Sequence, residues 1–103
     1  MMEPFAYCIQ LLGDFLSGRL SIEDFEREYL ATFKILPLTP PADISPDPYS
    51  QLARAFYALE SYDSSVTLAT EGPFDLTYDS MIRELQIAWN EIQEADAQSL
   101  HEP

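Results

Sequence analysis

The chain has 103 residues, of which 47% are hydrophobic, so it is long enough for one domain with one shared core. Its 18 acidic and 5 basic side chains give a net charge of -13, which disfavours binding to nucleic acid or anionic membranes and favours a basic partner. The single cysteine excludes an internal disulfide. No basic segment precedes an apolar run, and no apolar stretch approaches about 20 residues. We therefore expect a cytoplasmic protein.

The first predicted helix spans residues 4–17. Pro4 is tolerated in a first helical turn. The apolar side chains that follow recur at helical spacing: Phe5, Cys8, Ile9, Leu12, Phe15 and Leu16. Gly18 comes where a helix commonly ends in one left-handed residue. Gly13, inside the helix, is assigned no role, and Cys8 is expected to be a buried thiol rather than a nucleophile.

The second predicted helix spans residues 22–35 and ends before Pro37. Ser21, with Asp24 three residues later, is typical of a capped helix start. One face of the helix is apolar and contains Ile22, Phe25, Tyr29, Phe33 and Leu36. The other face is acidic, and Glu23 is expected to pair with Arg27 one turn later.

The segment from Pro37 to Pro48 contains five of the eight prolines, so it predicts a semi-rigid crossover between the second and third helices. Asp47 and Pro48 are expected to be the N-cap and first residue of a third helix over residues 48–60. Its predicted apolar face contains Tyr49, Leu52, Ala55, Phe56 and Leu59.

Residues 61–76 show no helical pattern and contain a Gly72-Pro73 break, which predicts an ordered loop. An acidic cluster with one aromatic residue lies in and around this loop: Glu60, Tyr62, Asp63, Glu71 and Asp75. Thr77 is expected to cap a fourth helix over residues 78–97, followed by a frayed tail from His101. The apolar face of this helix contains Tyr78, Met81, Ile82, Leu85, Ala88, Trp89 and Ile92. The sequence thus predicts a single all-α domain over residues 1–103.

Catalytic patterns are absent from the sequence. The only histidine is His101, near the end of the chain, so neither a metal site nor a histidine-based triad is expected. The three glycines form no phosphate-binding motif. Carboxylate pairs such as Asp75 with Asp79 are unavoidable among 18 acids and therefore carry no information. We expect a binding protein without a cofactor, not an enzyme.

Two stretches resemble a known family. The segment from Asp14 to Arg19, followed by Phe25 to Tyr29, resembles the bacterial self-protective colicin-like immunity proteins. Glu60, Tyr62 and Asp63, followed by Leu76 to Leu85, match the same family in order. Ser64-Ser65 departs from the family pattern, which has a Pro-Asp step there, and this departure leaves the cognate toxin open.

The resemblance implies a small antiparallel four-helix bundle that binds the basic nuclease domain of a cognate bacteriocin toxin, an RNase or tRNase, and covers its active site. It assigns the toxin-facing acids to Glu60 and Asp63, with Tyr62 between them. Glu71, Asp75 and Asp79 are added to this partner-binding set because they are close by. The resemblance also implies a protein of the bacterial cytoplasm, and we expect a monomer or weak homodimer when free.

Three other functions are compatible with the sequence. An acidic mimic of nucleic acid would inhibit several host-defence or DNA-binding proteins rather than one toxin. A helical adaptor would expose apolar residues on a second helix face, for which Ile87 and Leu100 are the suggestive positions. A small hydrolase would need a carboxyl group with a raised pKa in a closed pocket.

Overall fold

Four α-helices make up the computed structural model. The structure describes residues 3–37, 39–40, 44, 47–62 and 76–101, and only the backbone of residues 96–101. The helices are α1 (Pro4–Leu16), α2 (Ile22–Phe33), α3 (Tyr49–Ser61) and α4 (Tyr78–His101). These described ranges contain no strand, only an isolated bridge between Tyr62 and Leu76. The prediction of an all-α fold is confirmed.

Two helix ends differ from the predicted bounds by two residues or more, and the ends of α1 and α3 differ by one. Helix α2 ends at Phe33, and the backbone N–H groups of Ile35 and Leu36 bond three residues back, which tightens the last turn. Pro37 explains this, because a proline disfavours helical backbone in the residue before it. Helix α4 runs past residue 97 and includes His101. Its last residues are mostly good helix formers, with no glycine or proline among them.

The predicted caps of α1, α2 and α4 are present. Gly18 follows α1 with a φ of 85°, the left-handed conformation that suits glycine. The Ser21 side chain accepts a hydrogen bond from the Asp24 backbone N–H at 3.2 Å. Thr77 Oγ1 accepts one from the Ser80 N–H at 3.1 Å. These bonds satisfy N–H groups that have no partner within the helix.

Two local predictions were wrong. Helix α3 begins at Tyr49 rather than Pro48, and the Asp47 carboxylate accepts a hydrogen bond from the Tyr49 N–H at 2.9 Å. Arg27 pairs with Asp24 at 2.8 Å, not with Glu23. Both i,i+3 and i,i+4 partners are within reach on a helix, so sequence spacing does not choose between them.

One hydrophobic core joins all four helices. Its buried apolar side chains are Phe5, Cys8, Leu11, Leu12, Phe15, Phe25, Tyr29, Leu52, Ala55, Ala58, Leu59, Met81, Leu85, Ala88 and Ile92. Helix α1 contacts α2 and α4, while α3 also contacts α2 and α4, so the four helices form a closed ring of neighbours. The radius of gyration of 14.2 Å is close to the value of about 13 Å typical of a domain this long.

A column of aromatic rings connects α1 to α3 through α2. Phe15 of α1 stacks on Phe25 with centroids 4.6 Å apart and planes 2° from parallel. Along α2, Tyr29 lies 5.2 Å from Phe25 and 6.4 Å from Phe33. Phe33 then stacks on Phe56 of α3 at 4.5 Å. Helix α2 is therefore held on both sides by ring contacts.

A buried hydrogen bond fixes α2 against α3. The Tyr29 hydroxyl donates to the Leu52 carbonyl oxygen at 2.7 Å, and the Tyr29 side chain is fully buried. A buried hydroxyl without a partner is costly, so this bond permits a tyrosine in the centre of the core. Burial also raises the pKa of Tyr29 above its ordinary value of 10.0, with a smaller contribution from Cys8.

Gly13 makes room for the only tryptophan. A Cβ atom at Gly13 would lie 2.7 Å from Cη2 and 3.0 Å from Cζ3 of Trp89, so the ring of Trp89 packs directly over the α1 backbone. No role for Gly13 was expected from the sequence, but its contact with Trp89 shows that it allows the close approach of α1 and α4. The helix propensity lost at Gly13 is offset by this contact.

Among the residues that the structure describes, no helix combines the length and apolar character needed to cross a bilayer.

We predict that Gly13→Ala changes the fluorescence of Trp89, because the ring must move away from the new methyl group. The gain in helix propensity, about 1 kcal/mol, will offset part of the packing loss. Gly18→Ala is the matched control. A Cβ atom at Gly18 would meet no other atom within 4 Å, but the backbone φ there is positive. This substitution should lower the free energy of unfolding by about 1–2 kcal/mol and leave the emission spectrum unchanged. Equal spectra for all three proteins would contradict the contact.

We predict that Tyr29→Phe lowers the free energy of unfolding by about 1 kcal/mol at neutral pH, since the bond to the Leu52 carbonyl is lost. The raised pKa of Tyr29 gives stability that is fully present below pH 10.0 and is lost as the pH rises above it. Phenylalanine has no proton to lose, so the difference between the two proteins should shrink above pH 10.0. Urea denaturation from neutral pH to about pH 11 measures it. A constant difference would show that Tyr29 titrates normally.

Candidate functional site

Three of the six predicted partner-binding residues lie in described parts of the chain. Glu60 is in the last turn of α3, Tyr62 follows the end of that helix, and Asp79 is in the first turn of α4. The other three predicted residues, Asp63, Glu71 and Asp75, lie outside the described residues.

The end of α3 and the start of α4 are brought together by backbone and ring contacts. The Leu76 N–H donates to the Ser61 carbonyl oxygen at 2.7 Å, beside the bridge between Tyr62 and Leu76. The rings of Tyr62 and Tyr78 meet edge to face with centroids 5.7 Å apart. Glu60 and Asp79 each lie within two residues of this ring pair. We call Glu60, Tyr62, Tyr78 and Asp79 the α3–α4 junction.

Tyr78 was missed as a site residue. Its spacing placed it on the apolar face of α4, but its side chain is 44% exposed at the α3–α4 junction. It is the first residue of the helix, and helical periodicity gives little information about burial at the first residue. Its position beside Asp79 and near the acidic loop was the signal that could have identified it.

The two acids of the junction, Glu60 and Asp79, lie at helix ends of opposite dipole charge. Asp79 is in the first turn of α4, where the positive end of the helix dipole stabilises a carboxylate. Glu60 is one residue from the end of α3, where the dipole is negative and a carboxylate is disfavoured. Glu60 is also exposed and forms no ion pair with the described residues. Asp79 therefore supports its own helix, whereas Glu60 does not.

Most of the basic charge is already paired. Arg19 lies 3.5 Å from Asp14, and Arg27 lies 2.8 Å from Asp24. Arg54 of α3 lies 2.8 Å from the carboxylate of Glu84 and 3.6 Å from that of Glu91, both on α4. These side chains are substantially exposed, so each pair contributes at most about 1 kcal/mol. Their larger effect is on the surface field, because they leave few free cations to balance the remaining acids.

One cavity lies away from the junction. It is a groove of about 780 Å³ between α1, α4 and the start of α3, with Ile9, Pro48, Trp89 and Ile92 among its lining residues. Neither Glu60, Tyr62 nor Asp79 contributes to its lining. The groove and the junction are therefore separate features of the surface.

The groups with a perturbed pKa give little support for covalent catalysis. Burial, with a smaller effect of Glu3, raises the pKa of the Cys8 thiol from 9.0 to about 12, so at neutral pH it is not a thiolate. The prediction that Cys8 is a buried thiol is confirmed. Across the described residues, no group of three or more His, Cys, Asp or Glu side chains could hold a metal ion. What the α3–α4 junction offers is exposed aromatic surface beside unpaired negative charge.

Comparison with known proteins gives no relative. No protein-family model, no curated protein and no solved structure matches the chain. Functional inference therefore rests on the residues of this chain and on their contacts.

Proposed function

We propose that this protein is a colicin-like immunity protein of the bacterial cytoplasm, which binds the basic nuclease domain of a cognate bacteriocin toxin and inhibits it. The observation that carries this proposal is the unpaired carboxylate of Glu60 at the negative end of α3, beside the exposed ring of Tyr78 and its partner Tyr62. A cation supplied by a partner would relieve the unfavourable field at Glu60.

The proposed mechanism is occupation of the toxin's active site. A nuclease that cleaves RNA must hold a polyanion, so its site is basic, and a protein with a net charge of -13 is attracted to it over long range. Steered association of this kind is fast, and it needs neither a cofactor nor a catalytic residue in the inhibitor. The tyrosines of the junction suit such an interface, because a tyrosine can bury its ring while its hydroxyl stays hydrogen-bonded.

The finer architecture belongs to the same proposal. We infer an antiparallel four-helix bundle in which the proline-rich segment from Pro37 to Pro48 is the crossover between α2 and α3. The turn between α1 and α2 is short, and short connections join antiparallel neighbours. Each helix contacts two others in a closed ring, as the helices of such a bundle do.

Because immunity proteins are usually encoded beside the toxin that they neutralise, we predict that a neighbouring reading frame encodes the cognate nuclease domain. This protein should form a stoichiometric complex with that domain and abolish its cleavage of RNA. The measurement is titration of that domain, with calorimetry for affinity and gel analysis of RNA for activity. Affinity should fall steeply with salt, because the attraction is between opposite charges. Full nuclease activity at an equimolar ratio, with no complex detected, would contradict the proposed function. Equal binding to unrelated DNA-binding proteins would favour a general nucleic-acid mimic instead.

We predict that Glu60→Lys weakens this complex at least tenfold, about 1.4 kcal/mol, because it places a cation against a basic surface. The free protein should be as stable as the wild type or more so, since lysine is favoured at a helix C-terminus. Glu94→Lys is the matched control: it makes the same charge change on α4, about 22 Å along the helix from Asp79. Equal effects of the two substitutions would show that only the net charge matters and that Glu60 is outside the interface.

A further inference from the structure

Helix α3 carries aromatic side chains along the edge of its core face, and two of them are exposed. Tyr57 is 66% exposed and Tyr49 is 42% exposed, while Phe56 is half-buried between them. With Ala53, these residues recur at helical spacing along one side of α3. We call Tyr49, Ala53, Phe56 and Tyr57 the aromatic strip. From the sequence, Tyr49 and Phe56 were expected on the core face of the helix, and only Ile87 and Leu100 were suggested as exposed apolar positions.

Ring contacts with α2 and within α3 pack the aromatic strip in place. The ring centroid of Phe33 in α2 lies 4.5 Å from that of Phe56 and 5.5 Å from that of Tyr49. The strip is therefore in contact with the aromatic column. Tyr57 packs on Phe56 edge to face at 5.6 Å. Rings that are already ordered lose little conformational entropy when a partner covers them. The strip is thus suited to form the centre of an interface.

Charge decides what can cover the aromatic strip. Glu60 lies one turn beyond Tyr57 and Phe56 on the same side of the helix, so the strip ends in an unpaired carboxylate. The only cation on the outer face of α3 is Arg54, which is turned toward Glu84 and Glu91 of α4. A second copy of the chain would bring another net charge of -13 to this surface. Repulsion between the copies disfavours that occupant and favours a basic protein.

We propose that the aromatic strip is the apolar centre of the interface with the basic partner, and that Tyr57 is its anchor. This inference rests on the proposed function and extends its site along α3 from the α3–α4 junction. An arginine or lysine of the partner stacks on the exposed ring of Tyr57, and a neighbouring cation pairs with Glu60. The strip supplies contact area, while the acids supply orientation and speed of association.

The test compares Tyr57→Ala and Tyr57→Phe in complex with the nuclease domain of the neighbouring reading frame. Tyr57→Ala should weaken binding at least about tenfold, chiefly through faster dissociation, because it removes the ring that the partner covers. Tyr57→Phe keeps the ring and should bind within about threefold of the wild type. Both variants should keep wild-type helicity, since the Tyr57 side chain is mostly exposed.

The salt dependence of binding distinguishes the contribution of the aromatic strip from that of the acids. The loss caused by Tyr57→Ala should persist at high salt, whereas the loss caused by Glu60→Lys should shrink as charges are screened. If the wild type binds the domain and Glu60→Lys weakens it, but Tyr57→Ala binds like the wild type, the aromatic strip is not the interface and the proposed function stands. If the wild type does not bind at all, the proposed function itself fails. A wild-type dimer in sedimentation that Tyr57→Ala dissociates would overturn this proposal in favour of a second copy.

Discussion

The structure depends on how α2 is held between its neighbours. Only two apolar side chains of this helix, Phe25 and Tyr29, are buried, whereas each of the other helices contributes at least four to the core. Their rings continue a column that runs from Phe15 of α1 to Phe56 of α3. The Tyr29 hydroxyl adds a directional bond to the Leu52 carbonyl. Ring stacking gives α2 its attachment, and this hydrogen bond fixes its position along α3.

The aromatic column also explains why the outer face of α3 is ordered. Phe33 is the last residue of α2, and its ring contacts both Phe56 and Tyr49. Helix α3 therefore receives aromatic packing on the side toward α2 and ionic contacts on the side toward α4, where Arg54 reaches its two carboxylates. Between these two sides lies Tyr57, which is covered by neither. An exposed ring flanked by ordered side chains is a common feature of protein interfaces.

Periodicity and capping residues predicted most of the fold. The four helices, the left-handed backbone at Gly18 and the caps at Ser21 and Thr77 depend on residues close in the chain, and sequence spacing encodes such contacts directly. Contacts between helices were harder to predict. That Gly13 faces Trp89 depends on how α1 and α4 approach each other, which no local pattern specifies. The burial of Tyr49 was mispredicted for the same reason, because an aromatic residue at helical spacing fits either the core face or its edge.

At the candidate site too, local features could be predicted from the sequence, whereas contacts between helices could not. Composition and spacing identified Glu60 as part of an acidic group. They could not show that Glu60 forms no ion pair with the described residues, because that depends on where Arg54 points. A carboxylate at the negative end of α3 does not stabilise the free helix, whereas Asp79 at the start of α4 does. Stability therefore explains the presence of Asp79 but not that of Glu60. In the complex that we propose, this carboxylate at the end of an exposed aromatic surface would pair with a positive charge of the partner.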